Sequence, residues 1–218
     1  KRLDRCAGLV SRPRWARAAA LAFGFAMQAA GASAQGAAVP VAFSFSAPIY
    51  AAAPVGDPRL FIVERAGVIR VLQGDTVLGT PFLDITDRVE LPPPPLPGGY
   101  EGGLLGLVFA PDFAQSGIFY VYYTRDIDPA AGITLVSRLA RFTASDPASS
   151  DLVDAATETI LFEVEQPAIN HNGGTIAIRD GFLYLGLGDG GGGGDPDELA
   201  QNDASPFGKM LRFDLAQQ

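Results

Sequence analysis

Cysteine and histidine are nearly absent from this sequence of 218 residues, with Cys6 and His171 the only examples of each. A single thiol excludes an internal disulfide, so the fold must rest on its core or on bound ligands. Charge is also scarce, at 18% of residues against 48% hydrophobic, a composition that folds and excludes a disordered chain. After Gln35 no convincing helical period is found, because apolar residues come in runs of four to eight bounded by Gly, Pro, Asp and Ser. What remains is a strand-and-turn chain, expected to be all-β.

Basic residues cluster where the sequence begins: Lys1, Arg2, Arg5, Arg12, Arg14 and Arg17 precede an apolar run over 18–30, then Ala32-Ser33-Ala34. That order is the layout of a secretory signal cleaved after Ala34, and the apolar run is too short to anchor the chain in a bilayer. A buried amphipathic helix fits less well, because it does not call for basic residues ahead of the apolar run. Residues 1–34 are therefore expected to be a signal peptide, with the protein periplasmic or secreted. Their removal takes six of the 16 basic residues and one of the 24 acidic ones, leaving 10 against 23 and a net charge of −13. Such an acidic chain argues against nucleic acid or an anionic membrane surface as a partner.

Strands are predicted at 41–45, 60–64, 68–72, 82–85, 104–109, 118–123, 136–142, 159–164, 175–178, 182–187 and 209–214. They recur as a unit. Leu60-Phe61-Ile62-Val63, Ile118-Phe119-Tyr120-Val121 and Phe182-Leu183-Tyr184-Leu185 are three aromatic-bearing copies, 58 and 64 residues apart. Each is followed by a strand bearing Arg, and Gly102-Gly103-Leu104-Leu105 is echoed as Gly173-Gly174-Thr175-Ile176. A repeat of about four strands that cannot bury both faces alone is the mark of a β-propeller. Two and a half to three antiparallel blades are expected here, and closure takes about four to eight, so residues 35–218 are expected to be the N-terminal portion of a longer propeller that does not close by itself. The proline-rich segment 91–97 reads as a rigid surface loop ahead of the second blade.

Gly186-Leu187-Gly188-Asp189-Gly190-Gly191 follows a strand and matches a dinucleotide-binding spacing, but no helix start follows the glycines to receive a pyrophosphate, and that reading is rejected. Asp195, Asp197, Glu198 and Asp203 offer hard oxygen ligands for calcium; the plainer reading is a solvated acidic loop. His171, in Asn170-His171-Asn172-Gly173-Gly174, stands at the start of a blade's first strand, where side chains face the mouth of the channel. Antiparallel pairing returns the chain so that Asp189, eighteen residues on, comes back beside it. A carboxylate next to an imidazole fixes its tautomer and stabilises its protonated form, as a general base requires. Glu101 holds the corresponding place in the preceding blade. A lone histidine is commonly a structural hydrogen-bonding group; the flanking glycines at a channel mouth point toward function.

These motifs carry a resemblance. Glu101-Gly102-Gly103-Leu104-Leu105-Gly106-Leu107 with Ala110-Pro111-Asp112-Phe113, then Asn170-His171-Asn172-Gly173-Gly174, Leu187-Gly188-Asp189-Gly190-Gly191 and Gly208-Lys209-Met210-Leu211-Arg212 resemble, in order and spacing, the motif series of the glucose/sorbosone dehydrogenase family. The resemblance runs from about residue 41 to 214. It implies a six-bladed propeller at full length, exported, that oxidises aldose sugars with pyrroloquinoline quinone (PQQ) and Ca2+ and passes electrons to an external acceptor. By position it implies that His171 is the general base for the anomeric hydroxyl, that Asp189 orients it, and that Glu101 and His171 line the cofactor pocket. The family's remaining basic residues and calcium-binding carbonyls fall beyond residue 218, so this chain alone is expected to be inactive. The alternative implied by non-catalytic relatives is a calcium-stabilised extracellular binding module.

Overall fold

Runs such as Ile118-Phe119-Tyr120-Val121 are apolar at every position rather than at alternate ones, and a strand buries both of its faces only when its sheet lies between two others. The structure, a computed structural model, describes residues 45–91, 99–125, 135–149 and 152–217, and there the runs form three antiparallel sheets stacked face to face. The first holds β1 (Pro48–Ala52), β2 (Leu60–Glu64), β3 (Val68–Gln73), β4 (Thr76–Val77) and β5 (Leu83–Asp84). The second holds β6 (Leu104–Phe109), β7 (Ile118–Arg125), β8 (Val136–Thr143) and β9 (Thr159–Glu165); the third holds β10 (Thr175–Arg179), β11 (Phe182–Gly186) and β12 (Met210–Asp214).

The five strands of the first sheet fill four positions. β4 meets β3 through Leu72↔Val77, and β5 meets it through Ile69↔Leu83, on the edge of β3 that β2 leaves free. Between them Leu78 N donates to Val71 O and Phe82 N to Ile69 O. The outer strand is thus one strand interrupted at Gly79-Thr80-Pro81, where proline has no N–H for the ladder. Each sheet is therefore a propeller blade, the third showing three strands among the described residues.

Period-two alternation in β7 sorts its aromatics between the blades. Phe119, Val121 and Tyr123 pack with Phe61, Val63 and Ile69 of the first blade. Tyr120 and Tyr122 pack with Ile176, Leu183 and Leu185 of the third. At the centre of the first interface Phe82 lies 4.8 Å from Phe61 and 5.0 Å from Phe119, ring centroid to ring centroid. Near the innermost strands the second and third blades approach so closely that a Cβ on Gly106 would lie 2.3 Å from the carbonyl oxygen of Gly174.

Several expectations shift. Of the strand predicted at 41–45, residues 41–44 lie outside the described residues and Phe45 is not in a strand, while β1, which was not predicted, forms the inner edge of the first sheet. A one-turn helix, α1 (Phe113–Ser116), interrupts the strand-and-turn chain where no helix was expected. β11 ends at Gly186 rather than residue 187, which puts Asp189 in the loop beyond the strand. The predicted signal peptide and residues 92–97 of the proline-rich segment lie outside the described residues. Among the described residues no helix is long and apolar enough to cross a membrane.

Candidate functional site

β10 and β11 pair with Thr175 opposite Gly186, so the segments leaving that end of the hairpin run side by side. One carries His171 and the other Asp189. Their backbones touch: a Cβ on Gly188 would lie 1.9 Å from the carbonyl oxygen of His171, so only glycine fits there. The side chains then meet, His171 Nδ1 standing 2.6 Å from Asp189 Oδ1.

Asp189 is held to this task by its own loop. Its Oδ1 also accepts the N–H of Gly191 at 3.1 Å. That backbone N–H first, and the imidazole second, hold the Asp189 carboxyl below its ordinary value of 3.8. An ionised carboxylate can only accept, so the contact assigns the proton to His171 Nδ1 and leaves Nε2 as the basic nitrogen. The imidazole side chain is 37% exposed and that of Asp189 24%, so a ligand can reach the pair.

Glu101 completes the group. Its Oε2 accepts the backbone N–H of His171 at 2.6 Å, while its own N–H donates to Ile169 O at 2.9 Å. His171 has φ +56°, in the left-handed region that a non-glycine residue seldom occupies. The three residues singled out in the sequence are thus brought together, though Glu101 meets the histidine's backbone and not its ring. Beside them opens a shallow cleft of about 360 Å³ lined by Ile49, Leu105 and Thr175 from the three innermost strands, with Arg65, Tyr100 and Glu101.

Two supports were not foreseen. Tyr122 donates its hydroxyl to Asn172 O at 2.8 Å; its aromatic run signals core and hides this tie. Lys209 donates from Nζ to Ala200 O at 2.8 Å and Phe207 O at 2.9 Å, gathering the loop that follows the glycine-rich segment. A string of left-handed-tolerant residues, Asn170-His171-Asn172-Gly173-Gly174, was the available signal for the turn itself.

The donor set suits proton transfer better than the holding of a large anion. A planar tricarboxylate such as PQQ asks for cations, yet the cleft offers Arg65 alone, with Nε given to Gly102 O and Nη2 to Tyr100 O, both at 2.7 Å. These residues do not by themselves form the anchor for such a group. For calcium, no three His, Cys, Asp or Glu side chains converge among the described residues, and Asp195 turns Oδ2 to the N–H of Ala200 at 3.1 Å.

Comparison with known proteins agrees with this geometry at the level of fold and family. The profile of the glucose/sorbosone dehydrogenase family matches residues 45–217. Hedgehog-interacting protein of Homo sapiens is 34% identical over 167 residues, 73% of this chain and 23% of that protein. Among solved structures, the PQQ-bound form of aldose sugar dehydrogenase from Streptomyces coelicolor superposes with a TM-score of 0.61 at 27% identity, over 82% of this chain and 47% of that one. The apo-form of the soluble aldose sugar dehydrogenase from Escherichia coli reaches a TM-score of 0.62 at 24% identity, over 80% of this chain and 46% of that one, a likeness of fold. The chain therefore spans about a quarter of the length of the curated relative and just under half of these enzymes.

Proposed function

This chain belongs to the glucose/sorbosone dehydrogenase family, and on that premise we propose that the whole protein is an exported oxidoreductase that oxidises an aldose sugar with PQQ. The observation that carries the reading is the 2.6 Å contact between His171 Nδ1 and Asp189 Oδ1, which leaves Nε2 as the basic nitrogen of an imidazole 37% exposed, two residues before Gly173 in the lining of an open cleft. In this mechanism His171 Nε2 removes the proton from the anomeric hydroxyl. Asp189 keeps Nδ1 protonated and offsets the positive charge that forms on the ring. Glu101 fixes the histidine's backbone at the cleft. PQQ, when bound, would supply the hydride acceptor, and an external acceptor must then take the electrons. The residues described do not hold the quinone or calcium, so no step of the proton chemistry is assigned to either.

A second reading draws on the identity with Hedgehog-interacting protein, a protein named for binding. In it the propeller is a calcium-stabilised extracellular binding module, and His171 is a structural group. Reconstitution with PQQ and calcium, followed by dye-linked oxidation across a panel of aldoses, separates the two. Loss of a general base typically costs about 10² to 10⁴ in rate, so His171→Ala is expected to remove most turnover with the melting temperature nearly unchanged. No activity on any aldose, or unfolding of His171→Ala without a specific loss of rate, favours the binding module.

A further inference from the structure

A non-glycine residue stays at positive φ only where its surroundings over-determine it. His171, at φ +56°, has Glu101 on its N–H. The next residue is held from the protein interior, where the hydroxyl of Tyr122 donates to Asn172 O at 2.8 Å. Asn172 is only 1% exposed, and neither atom of its side-chain amide has a hydrogen-bond partner among the described residues. The Tyr122 hydroxyl is thus what hydrogen-bonds Asn172 to the second blade. Its ring also packs on the turn, because a Cβ on Gly174 would come within 2.9 Å of Tyr122 Cδ1. The phenol cannot turn away, since it is fully buried between the second and third blades. Ser137 and Gln166 lie against its oxygen, Gln166 Nε2 donating to Ser137 Oγ at 2.6 Å.

We propose that Tyr122 is a positioning residue for His171: by holding the Asn172 carbonyl, its hydroxyl keeps the left-handed turn in the orientation that aims Nδ1 at Asp189 and so fixes the imidazole tautomer. The kinetic consequence rests on the reading of His171 as the base; the structural one does not. Tyr122→Phe in the intact protein removes only the hydroxyl. Tyr120→Phe is the control, because Tyr120 lies on the same face of β7, between the same two blades, opposite Val108 and Arg141.

The direct readout is the pair of nitrogen-15 shifts of the His171 ring, identified by their loss in His171→Gln. Wild type is expected to show one protonated and one bare nitrogen, Tyr122→Phe to move both signals toward their mean, and Tyr120→Phe to leave them in place. In the aldose assay Tyr122→Phe is expected to lower kcat about tenfold with KM unchanged, as misplacement of a catalytic group does. Wild-type imidazole signals in Tyr122→Phe, or equal displacement in both variants, overturn the assignment. A wild type without turnover sinks the enzyme reading and leaves the imidazole test standing. Should Tyr122→Phe not fold, the wild type decides: a slowly exchanging phenolic proton with a cross-peak to Gly173 or Gly174 is expected, and its absence refutes the contact.

Discussion

Replacing Asp189 by Asn removes the negative charge behind the imidazole while keeping the size of the side chain. In the wild type Oδ1 accepts from both His171 Nδ1 and Gly191 N, at 2.6 and 3.1 Å. An asparagine oxygen can keep both contacts only as neutral hydrogen bonds, and an amide nitrogen turned to the ring donates to Nδ1 and moves the ring proton to Nε2, where it blocks the base. Where an Asp-to-Asn change inverts the tautomer of a catalytic histidine, the loss in kcat reaches about 10⁴. Here the two side chains are 37% and 24% exposed, so water screens the lost charge, and the weaker end of general-base effects, about 10² to 10³, is expected. The assay is dye-linked turnover against pH, with KM and the melting curve measured alongside. The carboxyl of Asp189 is held below its ordinary 3.8. Its contribution to stability is therefore fully present above that value and fades as pH falls through the lower folded value. Wild type and Asp189→Asn should accordingly differ in stability at neutral pH and converge only in strong acid. If Asp189→Asn keeps half of the wild-type kcat at unchanged KM, the orienting role assigned to Asp189 is wrong.

Gly188→Ala places a Cβ 1.9 Å from the carbonyl oxygen of His171, so the turn must move; turnover should collapse and chemical denaturation should report a loss of about 1–3 kcal/mol. Phe82→Ala opens a cavity among Phe61, Phe109, Phe113 and Phe119 and should cost about 3–5 kcal/mol by the same measurement, with any residual enzyme showing an unchanged KM. Intact mass of protein recovered from periplasm or medium should show Gln35, cyclised or not, as the first residue, and retention of residues 1–34 would refute export by a cleaved signal.

The strands legible in the sequence are those with buried side chains on both faces. β6 falls where it was expected, because Leu104 and Leu107 pack toward the first blade and Leu105 and Val108 toward the third, and β2 does because four of its five residues are buried. β1 escapes that signal: Pro48–Ala52 is exposed along nearly its whole length, and a strand with no buried face writes no alternation into its residues. β4, two residues long, carries too little pattern to read. The pairing of His171 with Asp189 was legible because it follows from hairpin topology. The contacts that hold the turn were not. Glu101 reaches a backbone N–H 70 residues away, and Tyr122 a backbone carbonyl 50 residues away. Neither acceptor nor donor on a main chain has a residue type to recognise.

The scaffold alone does not choose between enzyme and binding module, since one fold serves both, but the conformation of His171 bears on the choice. Glycine would adopt φ +56° freely, whereas a histidine there holds about 1–3 kcal/mol of backbone strain. A structural histidine has to return more than that in packing, which calls for a buried ring satisfied at both nitrogens. The ring of His171 is 37% exposed and is bound at Nδ1. His171→Gly therefore separates the roles. Relief of strain should offset most of the lost contact with Asp189 and the roughly 0.4–1 kcal/mol of unfolded-state entropy that a glycine adds. The variant is expected to unfold within about 1 kcal/mol of wild type, on either side, while turnover falls as far as in His171→Ala. A loss of stability beyond about 2 kcal/mol, the range of a broken cap or buried polar contact, would mean that the imidazole is there to hold the blades together, and the binding module would then be the better account of this chain.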